Sequence, residues 1–226
     1  MFYFDSTYLL LIPAIIISMW AQTKVNSTFN KYVRVASHRG YSGAEAARII
    51  LDSNGLNNVA IELTRGKLSD HYDPSQRVLR LSNDVYYGTS LASIGVAAHE
   101  CGHAIQHKVE YAPLKLRSAS VPLANIGSNL SWIIFLLGLV FSIKQLVTAG
   151  IVLFAAVVIF QLITLPVEFD ASARALQQVR NTGILYDDEL VGAKKVLDAA
   201  AMTYIAAAIM AISQLIRLIA ISRRDD

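Results

Sequence analysis

Four long uncharged apolar runs, Ser6 to Thr23, Ser118 to Ile143, Gln145 to Val167 and Ala199 to Ile216, limit what this chain can fold into more than any other feature. In hydrocarbon each backbone N–H and C=O has to be satisfied within its own segment, so a run of about 20 apolar residues becomes a membrane-crossing helix. The chain is 54% hydrophobic and only 16% charged, an excess that four such segments explain and a water-soluble domain does not. The fold expected is a mainly α integral membrane protein with about four transmembrane helices, at residues 6–23, 118–143, 145–167 and 199–221, the last, Ala-rich and passing Arg217, being either a span or a long helix packed against the others. A small α+β part is left in residues 24–117, joined by residues 168–198, and residues 1–226 are read as one membrane-embedded domain. The lead residues Met1-Phe2-Tyr3-Phe4-Asp5 carry no Lys or Arg, so the first run is not a conventional cleavable signal.

Within the polar part, His99-Glu100-Cys101-Gly102-His103 carries chemistry. Ser90 to His107 reads as a helix, capped by Thr89 or Ser90, with Leu91, Ile94, Ala98, Gly102 and Ile105 as a small, apolar stripe. On that helix His99 and His103 lie one turn apart on one face, so both imidazoles can reach one Zn²⁺, and Glu100 beside them can deprotonate an attacking water. Two ordinary core histidines are the alternative; a buried Glu between them is costly without a metal or partner. His107 is eight residues from His99, about 12 Å along a helix, too far to share that ion, and reads as a helix-end or surface histidine. Cys101 reads as a small packing residue, and a single cysteine forms no internal disulfide.

The rest of the polar part supports a compact frame. Ser42-Gly43-Ala44-Glu45 fits a capping box opening a helix that Gly55 can end. Val59 to Leu63 and Arg77 to Leu81 read as strands, the second following the turn signal Asp73-Pro74. After the two central crossings the chain returns at Pro166-Val167-Glu168-Phe169-Asp170-Ala171-Ser172. Pro166 predicts a break and the start of a new helix with Glu168 in its first turn, stopping near Asn181 and Gly183. Asp187-Asp188-Glu189 predicts a further helix running into the last apolar run.

A catalytic zinc has three protein ligands and an open position. The candidates for the third are Glu168, Asp170, His71, His38 and Asp198. Glu168 is preferred because two crossings return it to the membrane face of the His99 helix; a helix N-terminus that favours acidic residues is the competing explanation. Asp170 reads as support for His99 or His103, or as a cap. In Asp70-His71-Tyr72-Asp73-Pro74, His71 or Tyr72 could donate to a developing oxyanion, or the segment could build a turn at a strand edge. Arg174 is another donor candidate, or a partner for Asp170 at i+4.

Val-Ala-Ala-His99-Glu100-Cys-Gly-His103-Ala-Ile-Gln, the Asp70 to Pro74 segment and Leu-Pro166-Val-Glu168-Phe-Asp170-Ala-Ser172 together resemble the YugP-type membrane zinc metallopeptidases of bacteria, over nearly the whole chain. More distantly the chain is similar to the HtpX and CAAX-prenyl-type membrane gluzincins. The resemblance implies a zincin-like (gluzincin) catalytic part with one Zn²⁺ per chain, held by His99, His103 and Glu168, and Glu100 as the catalytic base. Ser172 stands four residues after Glu168 where the distant families have Asp, and Asp170 is the candidate to take over the contact to a ligand histidine.

The expected activity is zinc-dependent hydrolysis of peptide bonds in a protein or peptide substrate, at a site beside the lipid bilayer. An extended peptide could pair with a strand edge near Arg77 to Leu81. Residues 24–117 hold 12 and residues 168–198 hold 4 of the 20 Lys and Arg, which by the positive-inside rule places both in the cytoplasm, the N-terminus outside, and the protein in the cell membrane as a multi-pass protein. A net charge of +3 without a basic, aromatic-interleaved patch gives no reason to expect nucleic acid. Two rivals are an intramembrane site-2-type protease with Asp198 as third ligand, though no glycine follows it, and a zinc-stabilised membrane scaffold without catalysis, which would need an inert Glu100.

Overall fold

The computed structural model describes residues 6–66 and 69–223; the lead residues Met1–Asp5, which carry no Lys or Arg, lie outside them. The chain divides into two compact units, one holding the residues up to Gln22, Lys115–Pro166 and those from Thr203, the other Thr23–Leu114 and Val167–Met202.

The first unit is helical. Helices α5 (Ala112–Val140), α6 (Lys144–Asn181) and α7 (Asp187–Ser222) carry the second, third and fourth apolar runs, and each is long and apolar enough to cross a membrane. The first run behaves differently from expectation. It divides into a 3₁₀ turn at Ser6–Leu10 and helix α1 (Ile12–Tyr32), whose second half holds Lys24, Asn26, Asn30 and Lys31. Among the described residues three helices, not four, qualify as spans.

Small residues let the apolar helices approach. A Cβ on Gly127 would lie 2.6 Å from the Leu153 carbonyl oxygen, and one on Gly150 would lie 2.8 Å from the Phe135 Cβ. Phe135, Phe154, Val158 and Leu218 fill the space between, while Ile133, Leu136, Val152 and Ile159 stay exposed, an apolar surface suited to lipid. Arg217, directly after the last run, is buried and satisfied: its Nε donates to the Thr7 hydroxyl at 3.2 Å and its guanidinium lies 3.8 Å over the Tyr8 ring.

Pro166 does not break the chain as expected; α6 runs through it, as α5 runs through Pro122. A break in an apolar setting would strand several backbone groups, whereas a proline frees one carbonyl and neighbouring hydroxyls can rebalance the ladder. Two residues before the proline, the Thr164 hydroxyl donates back to the Phe160 carbonyl at 2.9 Å, an ordinary i−4 bond of a continuing helix. Glu168 therefore stands in the middle of a long helix. The N-terminal dipole gives no reason for its presence.

The second unit is built around helix α4 (Leu91–Lys108), which starts where Ser90 accepts from the Ser93 N–H at 3.1 Å. Helix α2 (Gly43–Ser53) packs on it and is set by the expected capping box, with Glu45 accepting from the Ser42 N–H at 2.8 Å. Strands β1 (Ala60–Thr64), β2 (His71–Asp73) and β3 (Val78–Ser82) form a sheet in the order β1-β3-β2, β1 parallel and β2 antiparallel to β3; the short helix α3 (Asn83–Tyr86) follows. Strand β2 escaped the sequence pattern because three residues show no alternation. Its hairpin is locked by Asp73, whose carboxylate accepts from the Ser75 hydroxyl and from Arg80 at 3.3 Å and is held at a pKa of about 2, first by the Ser75 hydroxyl. Strand β3 is central, so the segment near Arg77 to Leu81 offers no free edge to a peptide; the edges are β1 and β2. Ile50, Leu51, Leu79, Leu81, Val85 and Ile94 form the core, and Cys101 packs against Ala47 with burial pushing its thiol pKa up.

Helices α4 and α6 meet at Gly102. A Cβ there would stand 2.4 Å from the Ala171 carbonyl oxygen, while one on Gly95, two turns earlier, would meet Ala193 at an ordinary 3.6 Å. Gly102→Ala should therefore push α6 away and lower stability by about 1–3 kcal/mol, whereas Gly95→Ala should be near neutral, as read by thermal unfolding in detergent. Equal midpoints for the two variants would contradict this packing.

Candidate metal centre

Two turns of α4 aim His99 and His103 from one face toward α6, and the close contact at Gly102 lets Glu168 reach both. Glu168 is 3% exposed and each imidazole 13%, so the carboxylate is enclosed and the rings keep one open side. Glu168 Oε2 lies 3.2 Å from His99 Nε2 and 3.6 Å from His103 Nε2, and the three residues offer ligand atoms all within 4.8 Å of one another. Tetrahedral zinc with bonds near 2.1 Å sets its ligand atoms about 3.4 Å apart, so these separations fit one ion.

The donor chemistry agrees. Gln106, fully buried, gives its amide nitrogen to the Val167 carbonyl and to Asp170 Oδ2, both at 2.8 Å. Both partners are acceptors, which fixes the amide orientation, so Gln106 Oε1 has to accept from His103 Nδ1 at 3.0 Å. His103 Nε2 is then the nitrogen left for a metal, and it faces the Glu168 carboxylate at 3.6 Å. Burial disfavours a charged His103, but the nearby Glu168 and Glu100 carboxylates outweigh it and raise its pKa. His99 Nδ1 lies 3.1 Å from the Ser172 hydroxyl. Ser172 thus makes the histidine contact expected to pass to Asp170, and Asp170 supports the other histidine through Gln106. Arg174 Nε donates to Asp170 Oδ2 at 2.6 Å, the i+4 pairing considered for it.

Glu100 is buried, and its Oε2 accepts the Tyr72 main-chain N–H at 3.1 Å. Edge strand β2 therefore holds the carboxylate through its backbone. The Tyr72 hydroxyl is engaged elsewhere, 2.9 Å from His107 Nδ1, so His107 is a paired residue, while the exposed His71 ring faces the Ser69 carbonyl at 2.8 Å. Asp70 braces the start of β2: its carboxylate accepts from the Ser82 N–H at 2.7 Å, and burial raises its pKa against those donors.

The remaining candidates lie apart from the cluster. His38 is exposed, its main chain bonded to Glu189 at 2.7 Å, and Asp198 pairs with Lys194 at 2.7 Å on an exposed face of α7. Among the described residues, neither belongs to a group that could hold a metal, which removes the ligand that the intramembrane alternative needed. Gln106 and the Tyr72 N–H are the parts that the sequence did not announce. The one available signal for Gln106 was its place three residues after His103.

Residues 7–223 match a family model described as "putative neutral zinc metallopeptidase". A curated protein of Bacillus subtilis (strain 168), named "putative membrane protease YugP", is 50% identical over 219 residues, covering 96% of this chain and 97% of its own. No solved structure matches the chain significantly.

Partners of this kind behind ligand histidines typically contribute 10–100-fold to metal affinity. Gln106→Ala removes the acceptor that turns the His103 ring and leaves Asp170 with Arg174 alone, so it should weaken zinc binding by about that factor, and Ser172→Ala should do so less because one neutral hydroxyl is lost. Competition with a chromogenic zinc chelator measures both; unchanged affinity in Gln106→Ala would show that the ring needs no such brace.

Proposed function

Because this chain belongs to the family described as "putative neutral zinc metallopeptidase", we propose that it is a membrane-bound zinc-dependent endopeptidase, with His99, His103 and Glu168 as the metal ligands and Glu100 as the general base. The observation that carries this reading is the Glu168 oxygen set between two imidazole nitrogens, with Glu100 one residue from the first ligand. When bound there, zinc supplies Lewis acidity toward the scissile carbonyl and its attacking water.

The protein's own groups do the rest. Tyr72 N–H holds Oε2 of Glu100, which leaves the other carboxylate oxygen to take a proton from water and then hand it to the departing amine. Gln106 and Ser172 keep the rings turned so that the Nε2 atoms face the metal position. His71 and the Tyr72 hydroxyl remain the candidate donors to the oxyanion; for Tyr72 that role requires release from His107.

Glu100→Gln keeps the acceptor for Tyr72 N–H but cannot take a proton. It should bind zinc at about one ion per chain like the unaltered protein and lose casein cleavage by about 100-fold or more. Equal turnover in the two proteins would remove Glu100 from the mechanism.

The zinc site is further proposed to face the cytoplasm in a multi-pass cell-membrane protein. Sixteen of the twenty Lys and Arg fall in residues 24–117 and 168–198, segments that the two central crossings return to one side whether or not α1 also spans. Cys101 is buried, so an Asn57→Cys variant offers a single accessible thiol. It should resist an impermeant maleimide in intact cells and react after lysis; ready labelling of intact cells would invert the orientation.

A further inference from the structure

Beside the metal centre, in the same unit, lies an open cleft of about 360 Å³ lined by Tyr72, Arg77, Ala104, His107, Lys108 and Glu110, with the loop from Gly55 to Val59 as its far wall. Its position follows from α4. Glu100, Ala104 and His107 are spaced i, i+4 and i+7 and share one helix face, next to the face of His99 and His103. The cleft thus begins about one turn, some 6 Å, beyond Glu100 along α4, the reach of two residues of extended peptide. Tyr72 joins the two places directly, its N–H on Glu100 and its hydroxyl on His107.

The lining is mainly basic and hydrogen-bond-donating, with one acidic member. Arg77 is exposed and forms no ion pair with any carboxylate among the described residues. Lys108 is anchored by donating to the Asn54 carbonyl, which holds its ammonium at the wall beside Gly55. His107 and Tyr72 add a ring nitrogen and a hydroxyl, and Glu110 is the single acidic group in the lining. Two of the three described non-glycine residues in the left-handed backbone region, Arg77 and Glu110, both at φ 55°, sit on this rim, with Gly55 at φ 63° opposite. A side-chain-bearing residue holds that conformation at a cost, and such strain gathers where a side chain has to be aimed.

We propose that this cleft binds a carboxylate of the peptide substrate, with Arg77 as its principal partner, and so directs the peptidase to chains carrying an acidic residue or a free C-terminus within a few residues of the bond cleaved. The proposal deepens the peptidase reading above and rests on it for the word substrate. A carboxylate is the class that the lining selects: an exposed planar guanidinium donates two parallel hydrogen bonds to it, with the Lys108 charge and the His107–Tyr72 pair around it.

The test measures binding apart from cleavage. Fluorescent ten-residue amidated peptides, identical except for central Glu-Glu or Gln-Gln, are titrated onto zinc-loaded full-length Glu100→Gln protein in an uncharged detergent, alongside the Gln-Gln peptide with a free C-terminus. At least one carboxylate-bearing peptide should bind about fivefold more tightly than the amidated Gln-Gln peptide, and which one does identifies a side chain or a chain end as the source. Arg77→Gly in the same background suits a backbone at positive φ, so zinc content and thermal midpoint should hold while the discrimination disappears. No preference in the parent protein, or a preference that survives Arg77→Gly, would overturn the proposal. Discrimination in binding, together with no cleavage of any of these peptides or of casein by the unaltered protein, would instead count against the peptidase reading and leave the cleft's assignment standing.

Discussion

The polar unit is arranged around one contact: a buried carboxylate oxygen of Glu168 lies 3.2 and 3.6 Å from two imidazole nitrogens, a cluster that could hold a metal ion. An unpaired carboxylate in that place would cost several kcal/mol, so the surroundings exist to make the pairing possible. Gly102 brings α4 and α6 into backbone contact, because any larger residue would collide with Ala171. Gln106 then ties the two helices by bonding His103, the Val167 carbonyl and Asp170 at once. The same contacts that close the fold also select which nitrogen of His103 faces the metal position.

The small sheet serves the centre in a second way. Strand β2 is short, but Asp70 and Asp73 fasten both its ends, to Ser82 and to the hairpin with Arg80. That lets one main-chain N–H hold the carboxylate that Glu100 extends from α4. A backbone donor on a braced strand is a firmer support than a flexible side chain, and in the proposed mechanism it leaves the second carboxylate oxygen for proton transfer. The hydroxyl of the same tyrosine meets His107 in the neighbouring cleft, so the strand links Glu100 to the surface proposed to bind a carboxylate.

What the sequence reveals depends on whether a feature is periodic and local. Helix α4, its Ser90 cap, the capping box at Ser42 and the i, i+4 histidines are short-range patterns, and each stands where the residues predict. Glu168 is legible as a partner because two apolar runs bring it back, but its setting is not: Pro166 reads as a break in water, and only an apolar environment makes a continuous helix the better outcome. The first apolar run is less legible, since its length suggests a span while the polar residues from Lys24 onward continue the same helix. Gln106 and the Tyr72 N–H depend on tertiary contact. A buried glutamine and a three-residue strand carry no pattern of their own, and a backbone donor has no residue identity to read.

Anomalous diffraction at the zinc edge, from crystals of the full-length protein grown with stoichiometric zinc, tests the central claim most directly. The account predicts one dominant peak per chain, about 2.0–2.2 Å from His99 Nε2, His103 Nε2 and a Glu168 carboxylate oxygen, with Glu100 close by but uncoordinated. A dominant peak on other residues, or His99 and His103 turned away from a shared ion in the zinc-saturated protein, would contradict it.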